Sequence, residues 1–148
     1  MAYTNDLLAY RETRIKTASQ GQLIIMLYDE AVKQLDRGLE LMGLNAGEKK
    51  DPGKIEQIGK AIVKTQAIIT ELMVSLNFDE GGGIAKNLFA LYTWFNQELL
   101  AAHLVYDIPR ISAVRAQMND LRLAWIETVA KTSAESMSRP AAGINIVG

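Results

Sequence analysis

The sequence predicts an all-α fold: an antiparallel up-down four-helix bundle preceded by a short N-terminal arm. Three observations predict it. Apolar residues recur three and four positions apart along four long stretches, the spacing of one face of an α-helix. Helix-start signals head three of those stretches: Ser19 with Gln22, Asp51 with Pro52, and Asp107 with Pro109. No stretch alternates apolar and polar residues as a half-buried strand would. Long helices joined by short loops pack as an up-down bundle, and a 3.5-residue seam favours crossings of ~20°.

Residues 1–18 form the arm. Leu7, Leu8, Tyr10 and Ile15 supply apolar side chains among Asp6, Arg11, Glu12, Arg14 and Lys16. Asn5 is a candidate cap for a turn or two of helix, and the narrow sticky face suits a segment that folds back on the bundle. The bundle occupies residues 19–137.

The first bundle helix is expected from about Gln20 to Met42. Ser19 and Gln22 form a capping box, in which the hydroxyl accepts from the third helical N–H and the Gln side chain reaches back. Its stripe is Ile24, Leu27, Tyr28, Ala31, Leu35, Leu39 and Met42. Leu23 to Tyr28 are six apolar residues in a row, whereas one core needs a stripe only about 100° wide. That turn and a half is either buried on several sides or shared between the core and a docking groove.

The second helix restarts at Asp51-Pro52, a good cap followed by a residue that loses nothing by lacking an N–H. Ile55, Ile58, Ile62, Thr65, Ile69, Leu72 and Leu76 then repeat as a heptad seam, with Glu56 and Lys60 an i, i+4 pair outside it. Gly81-Gly82-Gly83 is the sharpest break. A phosphate-binding loop would end in Lys-Ser/Thr, and Ile84-Ala85-Lys86 follows instead, so a tight turn between helices is expected there. The third helix is expected from about Gly83 to Tyr106, with Ile84, Leu88, Leu91, Phe95, Glu98 or Leu99, and Ala102 as its seam and Phe89, Tyr92 and Trp94 off it. The fourth runs from about Ile108 to Ser136 on Ile111, Val114, Met118, Leu121 and Trp125. Arg139-Pro140 ends any helix, and the tail, residues 138–148, carries Ile144, Ile146 and Val147.

Composition narrows the function. The chain of 148 residues is 49% hydrophobic, which points to one domain with a real core. Sixteen basic and 17 acidic residues give a net charge of −1, a balance unlike the basic stripe of a nucleic-acid binder. No cysteine is present, which removes disulfides, thiolate zinc sites and cysteine nucleophiles and fits a cytoplasmic setting. No signal peptide is evident, and no apolar run approaches the ~20 residues of a membrane span. His103 is the only histidine, so a His-based metal centre has no second imidazole, and no nucleophile elbow appears. No cofactor, no metal and no enzymatic activity are expected. What the chain has in excess is apolar, aromatic and Met surface, which serves either as core or as an adaptable docking face.

The combined motifs resemble the flagellin export chaperone family, FliS. They are Thr17-Ala18-Ser19, then Gln22-Leu23-Ile24-x-Met26-Leu27-Tyr28-Asp29, then Glu71-Leu72-x-x-x-Leu76 before Asp79-Glu80-Gly81-Gly82. Ile84-Ala85-x-Asn87-Leu88-x-x-Leu91-Tyr92 and Leu121-Arg122-x-Ala124-Trp125 complete the set. Gln20 and Glu30 depart from the Pro and Gly common in the family, and the tail has no counterpart in the pattern.

The resemblance implies a cytoplasmic chaperone that binds the disordered C-terminal segment of flagellin. Premature polymerisation is thereby blocked and the subunit stays competent for flagellar type III secretion. It implies an apolar groove lined or edged by Leu23, Ile24, Leu27, Tyr28, Ile84, Asn87, Leu88, Leu91 and Tyr92. The arm, through Leu7, Leu8 and Tyr10, would cap that groove until flagellin displaces it. The flagellar export gate is a further expected partner, and a monomer or weak dimer the expected state. The competing class is a self-assembling structural bundle whose surplus apolar surface is an oligomer interface.

Overall fold

A computed structural model describes residues 19–138 as four helices: α1 (Gln20–Leu44), α2 (Pro52–Val74), α3 (Phe78–Leu104) and α4 (Ile108–Ser138). Consecutive helices pack on one another and α4 closes the ring on α1, so the architecture is the expected all-α up-down bundle. The arm with Leu7, Leu8 and Tyr10, and the tail from Arg139, lie outside the described residues.

Each helix starts where its cap stands. The Ser19 hydroxyl accepts from the Gln22 N–H at 3.1 Å while Gln22 Oε1 accepts from the Ser19 N–H, closing the capping box. Asp51 accepts from the Gly53 N–H at 2.8 Å, with Pro52 in the first turn. Its carboxyl is held below the usual range, first by its hydrogen bond to Lys54 and then by the Gly53 N–H. Asp107 accepts from the Arg110 N–H at 3.2 Å and opens α4.

The third helix differs from expectation. It begins at Phe78, because Asn77 Oδ1 accepts from both the Asp79 and Glu80 N–H groups at 3.1 Å and caps a turn that the glycine run had masked. The connection from α2 is therefore residues 75–77, and the glycines fall inside α3. Gly82, at φ 51° and ψ −122°, breaks the helix after that first turn, a conformation that L side chains resist. Gly81 is needed for closeness, since a Cβ there would come within 2.9 Å of the Ala85 Cβ.

The buried face of α3 differs from the expected seam. Ala85, Tyr92, Phe95, Leu99 and Ala102 are buried, whereas Ile84, expected in the seam, is 72% exposed. Tyr92, expected off the seam, is core at 1% exposure. Elsewhere the seams are as expected, except that Ile55, near the start of α2, is exposed. The core unites Leu27, Tyr28, Leu35 and Met42 with Ile58, Ile62, Ile69 and Leu72, and with Phe95, Leu99, Ile111, Val114 and Met118.

Asn45 secures one end of the bundle. It is buried, its Oδ1 accepts from the Asp51 N–H at 2.7 Å, and its Nδ2 donates to the Tyr106 hydroxyl at 3.0 Å. One side chain thus joins the α1–α2 loop to the α3–α4 turn, where Tyr106 itself takes φ 53°. Asp36–Arg115 and Asp29–Arg122 link α1 to α4, and Glu30–Lys64 links α1 to α2. These pairs are solvent-exposed and each adds less than about 1 kcal/mol.

Two glycines should respond oppositely to alanine. Gly38 is buried within α1, and an added Cβ would make ordinary contacts at 3.6 Å and 3.8 Å with Ala61 and Ile62. Gly38→Ala should raise stability by about 0.5–1 kcal/mol. Gly82→Ala should lower it by about 1–3 kcal/mol because of the left-handed backbone. Urea unfolding of both variants checks the signs.

Candidate functional site

The end of the bundle opposite Asn45 is open. There α1 and α3 begin, α2 ends and the later turns of α4 pass, and the four leave a cavity of about 380 Å³ between them. Ile24 of α1, Leu72 of α2, Leu76 of the α2–α3 connection, Ile84, Leu88 and Tyr92 of α3, and Trp125 of α4 form its apolar lining. Ser75, Asn77 and Glu80 stand at the polar rim. The opening has a local cause. Small Ala85 is the buried residue of the first α3 turn after Gly82, and the larger Ile84 points outward.

Behind the cavity the Tyr28 and Tyr92 hydroxyls hydrogen-bond to each other, with ring centroids 6.4 Å apart. Burial pushes both phenols above their usual range, burial being the largest cause for each. For Tyr28 the neighbouring Tyr92 adds to the rise and the Trp125 side chain opposes it. Both stay protonated at any physiological pH, so the pair satisfies two buried hydroxyls.

Of the nine residues expected along a groove, Ile24, Ile84, Leu88 and Tyr92 meet in this cavity. Leu23, Leu27 and Tyr28 are buried in the core at 2%, 3% and 0% exposure and do not line it. Asn87 is exposed and Leu91 half-buried on α3, both outside the lining. In the six-residue apolar run, the surface surplus falls on half-buried Ile25 and Met26. Leu72, Leu76, Ala85 and Trp125 were missed as site residues. An antiparallel order puts the end of α2, the start of α3 and the last seam residue of α4 at one end, and that juxtaposition was the available signal.

Other surface features differ in kind. A wider trough of about 1010 Å³ between α1 and α2 is lined mainly by charges of both signs, among them Glu30, Lys33, Arg37, Lys60 and Lys64. On the outside of α3, Phe78 and Phe89 meet edge to face at 5.9 Å, and Trp94 is 40% exposed. His103 is half-buried near the end of α3. Among the described residues no three His, Cys, Asp or Glu side chains cluster as metal ligands, and no helix is long and apolar enough to cross a membrane.

Comparison with known proteins gives one consistent result. The family model "Flagellar protein FliS" matches residues 3–132. The chain is 33% identical over 122 residues to the flagellar secretion chaperone FliS of Escherichia coli, covering 82% of this chain and 85% of that one. It is 27% identical over 129 residues to the Bacillus subtilis protein of the same name, covering 87% and 90%. The Salmonella typhimurium counterpart is 32% identical over 123 residues, covering 82% and 85%.

The tyrosine pair predicts a non-additive response. Tyr28→Phe or Tyr92→Phe alone leaves one buried hydroxyl unpaired and should cost about 1–3 kcal/mol, while the double variant should cost less than the sum. The pH dependence follows from the raised phenols. Their contribution is fully present below the ordinary phenol value of 10.0 and is lost as pH rises above it. Urea titrations of the four proteins at pH 7 and above pH 10 measure both effects.

Proposed function

The chain belongs to the FliS family of flagellar secretion chaperones, and from that membership we propose that it captures the C-terminal segment of flagellin before polymerisation. The captured segment lays its apolar face along the open end of the bundle. Ile24, Ile84, Leu88 and Tyr92 receive it, Asn87 and Leu91 continue the edge on α3, and Leu23, Leu27 and Tyr28 back the surface from the core. The arm, through Leu7, Leu8 and Tyr10, covers this surface when flagellin is absent. The protein acts as a monomer or weak dimer in the cytoplasm, hands its cargo to the flagellar export gate and performs no catalysis.

One observation carries this reading: an apolar cavity of about 380 Å³ opens where the arm enters α1, lined by side chains from all four helices. That volume lies within the usual range of ligand pockets. An amphipathic segment with apolar anchors is the occupant such a groove suits. Ordering a flexible segment costs about 2–5 kcal/mol, so a long contact beyond the cavity is needed for useful affinity. The exposed side chains of α3 offer room for one.

The test is a pull-down with full-length flagellin and with flagellin lacking its last ~40 residues, two or three average helices. Capture of the first and not the second is expected; equal capture of both rejects the reading. Ile84→Asp probes the surface without touching the core, since Ile84 is 72% exposed. It should weaken binding at least about tenfold, the effect of losing one buried apolar anchor, and leave the unfolding midpoint nearly unchanged. A tight oligomer in sedimentation, indifferent to flagellin, would favour the self-assembling bundle.

A further inference from the structure

The solvent-facing side of α3 carries almost no charge. From Asn87 to Leu104 the helix has one Asp, Glu, Lys or Arg side chain, Glu98, which turns toward α4 and pairs with Arg110. The outer face of α1, by contrast, exposes Lys33, Asp36, Arg37 and Glu40. Opposite the buried Tyr92, Phe95 and Leu99 stands a row of Lys86, Ala90, Thr93, Gln97, Leu100 and Leu104, exposed except for half-buried Thr93. A helix face depleted of charge and flanked by exposed aromatics, here Phe89 and Trp94, has the composition of an interface. We propose that this row is the contact surface of a homodimer, in which α3 packs antiparallel against α3 of a second copy about a two-fold axis level with residue 95.

The spacing of the row names the occupant. Its steps are four, three, four, three and four residues, the 3.5-residue period at which two helices stay in register at a shallow crossing. That series reads the same in both directions, so an antiparallel copy meets it position for position. Ala90 then faces Leu100 of the second copy, Phe89 faces its Ala101, and Thr93 faces its Gln97. Small stands against large, and the two-fold repeats each pairing on both sides of the axis. Thr93 and Gln97 match as polar partners. The Thr93 hydroxyl donates to the Phe89 carbonyl at 2.8 Å and keeps lone pairs that can accept from the Gln97 amide across the axis. At the ends, Lys86 comes level with Leu104, the last residue of α3, where the helix dipole favours a cation.

The contact is small. Lys86 to Leu104 spans about 27 Å of helix. One helix face offers roughly ten residues, against about 20–30 a side in a standard interface, so the dimer is weak and reversible. Ala85, Leu88 and Tyr92, which line the cavity, lie on the inner side of α3, and pairing leaves the open end free. The dimer does not rest on the function proposed above.

Sedimentation of the full chain from micromolar to millimolar concentration should show a monomer passing reversibly into a dimer. Gln97→Lys places like charges beside the axis and should weaken the dimer at least about tenfold, with the unfolding midpoint unchanged because Gln97 is exposed. Gln97→Glu should do the same, and an equimolar mixture of the two variants should recover the dimer. The natural chain has no cysteine, so cross-linking reads the register. Ala90→Cys mixed with Leu100→Cys should form an intermolecular disulfide under mild oxidation. Ala90→Cys mixed with Ser112→Cys, exposed on α4, should not. A monomer at every concentration, a dimer indifferent to Gln97→Lys, no recovery in the mixture, or equal cross-linking of the two pairs overturns the proposal. A monomeric natural chain whose Gln97→Lys variant loses affinity for a flagellin C-terminal peptide assigns the face to that partner, with the same consequence.

Discussion

The backbone of Gly82 decides how this bundle closes. At φ 51° and ψ −122° it separates a single Asn77-capped turn from the body of α3 and re-aims the helix that follows. Beyond it Tyr92 lies in the core and Ile84 is exposed. Glu80 and Gly81 before that break and Ile84 and Ala85 after it all line the opening, together with Ile24, Leu76 and Trp125.

The two ends of the bundle treat polar groups differently. At the closed end Asn45 is saturated by Asp51 and Tyr106, and its contacts cross two loops. Near the open end the two tyrosine hydroxyls satisfy each other and leave the cavity wall apolar. Thr65, the polar side chain in the middle of α2, bonds to the Ala61 carbonyl of its own helix. Buried polar groups so paired cost little, and each demands one geometry of its partner helix. They add orientation to a core whose apolar contacts alone are non-directional.

Among the described residues no charged side chain is buried, and the ion pairs stand outside the core. Asp36–Arg115 and Asp29–Arg122 run along the α1–α4 seam, while the α1–α2 trough mixes both signs. These charged faces differ in kind from the apolar opening.

Much of the fold was legible because it is local. Ser19 with Gln22, Asp51 with Pro52 and Asp107 announce three helix starts, and the caps form as their side chains dictate. The seams of α1, α2 and α4 follow from residue spacing, since a helix repeats every 3.6 residues whatever its neighbours do. The cap at Asn77 was hidden by the glycines after it, and α3 carries apolar residues such as Ile84, Phe89, Tyr92 and Trp94 on several faces, so spacing alone could not choose the one that turns inward. The site was legible only in part. Surplus apolar content in Leu23–Tyr28 was visible, yet spacing alone treats Ile24 and Leu27 alike. The first reaches the cavity and the second is enclosed, because exposure near a helix end depends on how far the neighbouring helices overlap it. That overlap, and with it the choice between core and docking surface, belongs to the tertiary structure.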